Sequence, residues 1–448
     1  MTRATPDRSA PPAGPRARGL LLVGAAIVLT GFNLRTAVNS VGPVLEEIEH
    51  GLGISSGLAG LITSMPLICF AVIGFAGPPL AARYRDGHVL AVALLAMTIG
   101  LVVRVAVADV WLFLLGTVAT MAGGALGNVL LPSLVKKWFP TRTGLLVGAY
   151  STALAIGGAV ASISTAPIAA AVGADGWRWG LGIWAVFALL AALPWLAVPV
   201  RPGSSRGGDA AVRVSDLVHS RLAWTMAGFF AMQSMQAYVI VGWVAQYLRD
   251  EGMPASTAGL LIGVNALIVI PLNAIVPLGT VRQRLQRPML LAFTACYLAG
   301  WTGLLVAPLT VTWLWVSLLG IGMGAFAMVL ALFGLRGRTP ESVAALSTFA
   351  QGWGYALAGL GPLLIGLLRG ATGSYAGLFV LVYAGVALLL LAGWSVCRDR
   401  YVDDEVPGLP GTVPGADTRA DGEPTTDVEV AGAEPPVTVP HAHREPGA

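Results

Sequence analysis

The stretch Leu20–Val44 reads LLLVGAAIVLTGFNLRTAVNSVGPV and carries one charge, Arg35. At ~1.5 Å per residue a helix over it outreaches the ~30 Å hydrocarbon core of a bilayer. It is longer than a signal-peptide core and lacks a small-x-small cleavage site. It therefore reads as an uncleaved first span behind a basic, Pro-rich segment, residues 1–19. The rest of the chain agrees. Of 448 residues 56% are hydrophobic and 11% charged, against about 25% charged in an average soluble domain, and the mean hydropathy is +0.75. Ten of the 23 acidic residues follow Tyr401, which leaves 13 before it. A soluble globule of this size could not be built with so little polarity, so the lipid bilayer is the first expected partner.

Charges and Gly/Pro turns punctuate the chain into twelve candidate spans. In the first half they cover about 20–44, 57–80, 89–108, 110–132, 143–171 and 178–198. In the second half they cover about 222–247, 256–279, 288–308, 311–334, 342–368 and 374–396. The N-terminus, alternate loops and Arg398 and Arg400 just after the last span make twenty Lys and Arg; the opposite loops hold only Arg178, Arg249 and Arg369. The positive-inside rule then places both termini in the cytoplasm. The net charge of +4 is thus read as topology, not as a nucleic-acid surface. Residues 399–448, rich in Pro, Gly, Ala and acid, show no apolar period and are expected to be a disordered cytoplasmic tail; His441 and His443 belong to it as solvated side chains. Cys69, Cys296 and Cys397 make no disulfide frame or metal spacing.

The second half repeats the first at an offset of 199. Gly53 falls on Gly252, Ala59-Gly60-Leu61 on Ala258-Gly259-Leu260, Pro78 on Pro277, Arg83 on Arg282 and Arg85 on Arg284. Near the end of each half, at an offset of 198, Gly176-Trp177 meets Ser374-Tyr375. The expected architecture is all-α: twelve transmembrane helices in two pseudo-symmetric six-helix bundles, residues 20–199 and 222–398, joined by a cytoplasmic linker, 200–221. Two halves of this kind enclose a path in which a carrier binds its solute near the midplane.

Four segments carry a family likeness: Asn33-Leu34-Arg35-Thr36-Ala37-Val38 with Val41-Gly42-Pro43; Gly127-Asn128-Val129-Leu130-Leu131-Pro132; Gln233-Ser234 with Tyr238; and Gly334-Leu335-Arg336 through Thr339-Pro340-Glu341 and Ala350-Gln351-Gly352 to Gly361-Pro362. Over residues 20 to 398 the chain resembles major facilitator superfamily transporters, and more narrowly their cyanate/nitroimidazole branch. The resemblance implies the major facilitator fold, an inner (plasma) membrane location and a monomer. One departure stands out. The superfamily's loop between helices two and three carries an Asp in a Gly-x-x-x-Asp-Arg pattern, but the stretch Gly77 to Asp86 has none in register.

Only Arg35 and Arg104 are charged inside the spans, and no Asp, Glu or His lies mid-span. An intramembrane charge costs ~2.5–3.5 kcal/mol on insertion scales and faces a cavity or a partner. Arg104 is four residues, about 6 Å, from Ala108, within snorkelling reach. It reads as structural, in a helix that is peripheral in this superfamily. Arg35 is nine residues, about 14 Å, from Val44 and reads as the substrate arginine, its planar fork suited to a small planar anion. The alternative is a structural pairing of Arg35 with Glu46, Glu47 or a helix carbonyl.

Asn39 shares the face of Arg35, and Asn33 is close by. Arg35 plus 199 is Ser234. Ser234 and Tyr238 lie on one face of the seventh helix, Gln233 and Gln236 on another, and one of these faces should look at Arg35. Asn128, Tyr150 and the stripe Ser347, Gln351 and Tyr355 are further candidate cavity groups. For all these neutral residues interhelical hydrogen bonding is the competing role. Gly123-Gly124, Gly127, Gly157-Gly158, Gly320/Gly322/Gly324 and Gly359/Gly361 read as close-packing positions, and Trp177 and Trp179 as interfacial anchors.

The resulting expectation is a secondary carrier of a small polar or anionic solute, cyanate-, nitrite- or nitroheterocycle-like, working by alternating access. The carboxylate-free core leaves a coupled proton to ride on the substrate or on outer Glu46, Glu47 or Glu49. The alternative is an exporter of neutral or cationic amphiphilic drugs, although a cation site would be expected to use the cavity carboxylate that is missing. A receptor would need an output domain. No nucleophile–base pair, metal cluster or phosphate loop appears, so no enzyme, cofactor or metal is expected.

Overall fold

The computed structural model describes residues 15–83, 86–106, 108–173, 175–197 and 214–406, and they are helical almost throughout. Lipid offers the backbone no hydrogen-bonding partner, so an apolar chain must satisfy its own amides, which the helix does. The twelve helices fall close to the expected spans. The first six are Pro15–Asn39, Ser56–Arg83, Asp86–Ala106, Val110–Trp138, Thr143–Val172, and a sixth in two pieces, Gly176–Gly182 and Trp184–Ala197. The seventh runs as Arg221–Val239, a π-helical turn at Ile240–Val244, and Ala245–Asp250. The eighth and ninth are Ala255–Thr280 and Gln283–Val306; the tenth is Thr312–Gly322 with Gly324–Leu335; the eleventh is Pro340–Ala358 with Leu360–Thr372; the twelfth is Ala376–Val396.

Eleven of these are long and apolar enough to cross a membrane. The seventh falls short because Gln233, Ser234, Gln236 and Gln246 dilute its apolar run. Those polar groups are buried within the protein, where a polar helix is tolerated. Apolar side chains such as Val92, Leu115, Val380 and Leu391 instead stand on the outside, the surface that lipid tails cover.

The repeat survives in backbone geometry. Gly53 ends the short helix Leu45–Leu52 with φ 61°, and its counterpart Gly252 ends the seventh helix with φ 102°. A side chain at either turn would be strained, which is why glycine recurs at that spacing.

Three expectations need correction. Arg104 does not snorkel: it is fully buried, and Nε, Nη1 and Nη2 all lack a partner among the described residues. Of the two tryptophans read as anchors, Trp179 is exposed, but Trp177 is buried against Gly51 and Phe113. The short helix Leu45–Leu52 folds back over it and removes it from the surface.

Residues 402–406, assigned to the tail by sequence, pack against the helices. Glu405 Oε2 accepts from Ser220 Oγ at 2.7 Å and from the Leu222 amide at 2.8 Å, capping the seventh helix. Asp403, fully buried, accepts from the Arg338 amide at 2.8 Å and from Ser342 Oγ. The Val402 amide donates to Arg336 O at 2.9 Å, and Val402 and Val406 are buried. Ending the chain after Val406 should leave the melting temperature of the purified protein unchanged. Ending it after Arg398 should lower it by several degrees, because the cap and the buried Asp403 contacts are each worth about 1 kcal/mol or more. Equal melting temperatures would show the clasp to be energetically idle. Segment 1–19 before Pro15, most of linker 200–221, and the tail beyond Val406 with His441 and His443 lie outside the described residues, as do the side chains of 76–87.

Candidate substrate site and outer seal

Between the halves lies a cavity of about 130 Å³ whose wall includes Arg35, Asn39, Ser234, Tyr238 and Tyr355. Arg35 is half-buried and is the one charged side chain in that wall. Its Nη1 donates to Tyr238 Oη over a long 3.4 Å, and its guanidinium carbon stands 5.6 Å from the Tyr238 ring centroid. Tyr355 stacks on Phe70 of the second helix at 5.1 Å and meets Phe230 of the seventh edge-on at 4.9 Å. The repeat explains the pairing: at offset 199 Arg35 maps to Ser234 and Asn39 to Tyr238. Equivalent turns of the first and seventh helices thus supply four of the wall residues. Gly157 and Gly158 let the fifth helix approach. A Cβ at Gly157 would collide with Phe32 O, and one at Gly158 would lie 2.9 Å from Asn39 Nδ2.

The remaining candidates stand outside the cavity wall. Asn33 Nδ2 donates to Leu29 O and to Phe187 O of the sixth helix at 3.0 Å. Gln233 exchanges hydrogen bonds with Tyr297 at 3.0 and 3.2 Å. Gln236 donates to Val382 O and accepts from Trp301 Nε1, both at 2.8 Å. So the Ser234/Tyr238 face looks at Arg35, while the glutamine face binds the ninth and twelfth helices. Gln351 donates to Ser347 Oγ at 2.7 Å. Tyr150 packs along the first helix at Gly31, and Asn128 is half-buried in the fourth. Two wall residues escaped the sequence reading, Asn265 and Asn273 of the eighth helix. Two asparagines eight residues apart in an apolar span share a face, and that spacing was the available signal.

The end of the bundle away from Pro15 and Val406 is closed over this cavity. A Cβ at Gly42 would strike Val241 O, one at Gly259 would strike Ser162 O, and one at Gly60 would lie 2.9 Å from Pro362 O. Backbone thus meets backbone at three crossings between the halves. Ion pairs overlie the seal. Arg249 donates to both Glu47 oxygens at 2.7 and 2.8 Å, reaches Glu46 at 2.8 Å and bonds Pro43 O at 2.9 Å. Arg369 pairs with Asp250 at 2.7 Å and Glu49 at 3.5 Å. Tyr375 donates to Asp250 at 2.6 Å, and burial, with that neighbouring carboxylate, holds its phenol above its ordinary range as a neutral donor. Glu46 and Glu47, weighed as partners for Arg35, are therefore taken by Arg249, and Arg35 has no carboxylate partner among the described residues.

Two related six-helix halves of parallel topology around a cavity, sealed at one end, are the architecture of a membrane transporter. The chain belongs to the Major Facilitator Superfamily, whose model matches residues 21–362. It is 34% identical to the uncharacterized transporter YycB of Bacillus subtilis, over 84% of this chain and 93% of that one. It is 33% identical to the 2-nitroimidazole transporter of Escherichia coli, over 84% and 95%. Against the cyanate transport protein CynX of Escherichia coli it is 27% identical over 78% and 90%. The crystal structure of a bacterial homolog of the human lysosomal transporter Spinster, inward-facing and occupied, matches in fold with a TM-score of 0.69 at 18% identity, over 87% of this chain and 98% of that one.

Proposed function

We propose that this protein is a secondary carrier that moves a small, planar, polar or anionic solute across the inner membrane by alternating access, as a monomer with both termini cytoplasmic. The observation that carries the reading is Arg35, a half-buried guanidinium without a carboxylate partner among the described residues, facing a cavity between the halves. A guanidinium keeps its charge when desolvated and presents five donors in a plane, so it selects an acceptor-rich group. Tyr238, Tyr355 and Phe326 add aromatic faces. On this orientation the sealed end is the outer one.

Size narrows the class. The cavity's ~130 Å³ is roughly ten times the space one water needs. A three-atom anion would leave most of it wet, whereas a single ring with one substituent fills it. Both kinds of solute occur in the names of relatives, cyanate and 2-nitroimidazole; the dimensions favour the ring. An anion moving inward against an interior-negative potential costs about 2.3 kcal/mol per 100 mV, so anionic import needs exchange or a cation.

The test is labelled uptake and charge movement in proteoliposomes, with nitroheterocycles, cyanate and nitrite as the panel. Uptake of a panel member, lost in Arg35→Gln, is the expected result. Transport of a cationic drug with no uptake of any panel member would hand the case to the exporter reading.

A further inference from the structure

Arg35 of the first helix and Tyr238 of the seventh meet across the boundary between the halves. The bond from Arg35 Nη1 is the only one to the Tyr238 hydroxyl among the described residues, and at 3.4 Å it stands near the limit for a hydrogen bond. The phenol is 5% exposed, and its ring centroid lies 5.6 Å from the guanidinium carbon. Tyr238 also stands at a border. It belongs to the wall of the central cavity and to that of a second space of about 10 Å³, room for about one water. Val38, Val41, Ile62 and Met121 of the first half and Tyr238 and Val241 of the second line that smaller space.

The smaller space lies on the side of the seal. Val41 adjoins Gly42, which meets Val241 O at one of the backbone crossings. Val241 belongs to the π-helical turn Ile240–Val244, which begins two residues after Tyr238. A Cβ at Gly242 of the same turn would lie 3.1 Å from Thr63 of the second helix. Helices bend at π turns, so Tyr238 leads directly into the segment that closes the path. A solute acceptor seated on Arg35 makes a shorter, charge-assisted bond than this one. A shift of a few tenths of an ångström in the guanidinium then ends the bond to Tyr238.

Resting on the reading of Arg35 above, we infer that Tyr238 is a positioning residue that latches the empty carrier: it is tied to Arg35 across the halves and released when a solute takes the guanidinium. Occupancy of the cavity thereby loosens the inner layer of the seal, and the loaded carrier opens its sealed end faster than the empty one.

The experiment follows Val41→Cys, which borders the smaller space, in the full-length chain without Cys69, Cys296 and Cys397. An impermeant maleimide is applied to proteoliposomes from the side opposite Pro15. Without solute, Tyr238→Phe should raise the labelling rate about three- to tenfold, the worth of one ordinary hydrogen bond. The ring remains in that variant, so a tyrosine that merely fills space would leave the rate unchanged. Arg35→Gln should raise it by a similar factor, and the double variant no further than either, since both remove one contact. With Tyr238 intact, 2-nitroimidazole, cyanate or nitrite should raise the rate, and should do so less in Tyr238→Phe. An unchanged rate in Tyr238→Phe, or effects that multiply in the double variant, would overturn the latch. So would a solute that the protein takes up but that leaves the rate unchanged with Tyr238 intact, a comparison that needs no substitution at the latch. Any of these, with uptake still lost in Arg35→Gln, leaves the carrier reading standing. Uptake unaffected by Arg35→Gln removes that reading itself.

Discussion

Arg35→Gln is expected to weaken substrate binding about 30- to 5,000-fold while the protein still inserts and folds. The range follows from losing a charged, partly desolvated partner for a ligand, ~2–5 kcal/mol, at about 1.4 kcal/mol per decade. Folding should survive because the guanidinium makes no salt bridge among the described residues. Its hydrogen bond to Tyr238 is long, at 3.4 Å. Removing an intramembrane charge also removes an insertion penalty, so the melting temperature of the unliganded variant should match or exceed wild type. Binding isotherms and melting curves on the same detergent sample check both halves of this expectation. A variant that melts far below wild type would make Arg35 a structural residue. One that binds normally would shift the anchor to the neutral wall.

Arg249→Gln should open the sealed end. Arg249 holds Glu47 by a two-pronged fork, adds Glu46 and reaches the Pro43 carbonyl, so its loss leaves two carboxylates facing the seventh helix without a cation. The carboxylates are 35% and 39% exposed, which keeps the cost at the low end for a broken pair, about 2 kcal/mol. That is still close to a thirtyfold shift in the open population. A cysteine at Val41, 6% exposed in the sealed state, reports the change in a background lacking Cys69, Cys296 and Cys397. Its reaction with an impermeant maleimide from the side opposite the termini should accelerate at least tenfold in Arg249→Gln. High salt should raise the rate in the parent and narrow the difference, because partly exposed pairs are screened. An unchanged labelling rate would mean that the backbone crossings at Gly42, Gly60 and Gly259 hold the seal without the ions.

The sequence left the outer arginines without a role. Arg178, Arg249 and Arg369 served only as the minority in a topology count, yet two of the three tie the halves together. One signal was available: the outer turn of the first half carries Glu46, Glu47 and Glu49, and the matching turn of the second half ends in Arg249. Opposite charge on the corresponding turns of the two halves is what a contact between them requires.

Arg104 shows the reverse case. Distance to the helix end suggested an escape to the interface, but that route depends on whether neighbouring helices leave a channel for the stem. Here the third and fourth helices cross tightly at Gly100 and Gly116, and the side chain stays inside.

Hydrophobic run length fixed where the helices lie, the offset of 199 fixed that there are two related halves, and scarcity of charge singled out Arg35. Each depends on local chain chemistry or on comparison of the chain with itself, so no neighbour had to be known. Which face of the seventh helix looks at Arg35 was decided only by tertiary structure. Gln233, Ser234, Gln236 and Tyr238 place polar groups on more than one side of that helix, and periodicity defines faces without naming what each one meets. Packing of the glutamines on Tyr297, Trp301 and the twelfth helix turned Ser234 and Tyr238 to the cavity. The ion pairs across the seal arise in the same way, from groups 202 and 320 residues apart that only the folded chain brings within reach.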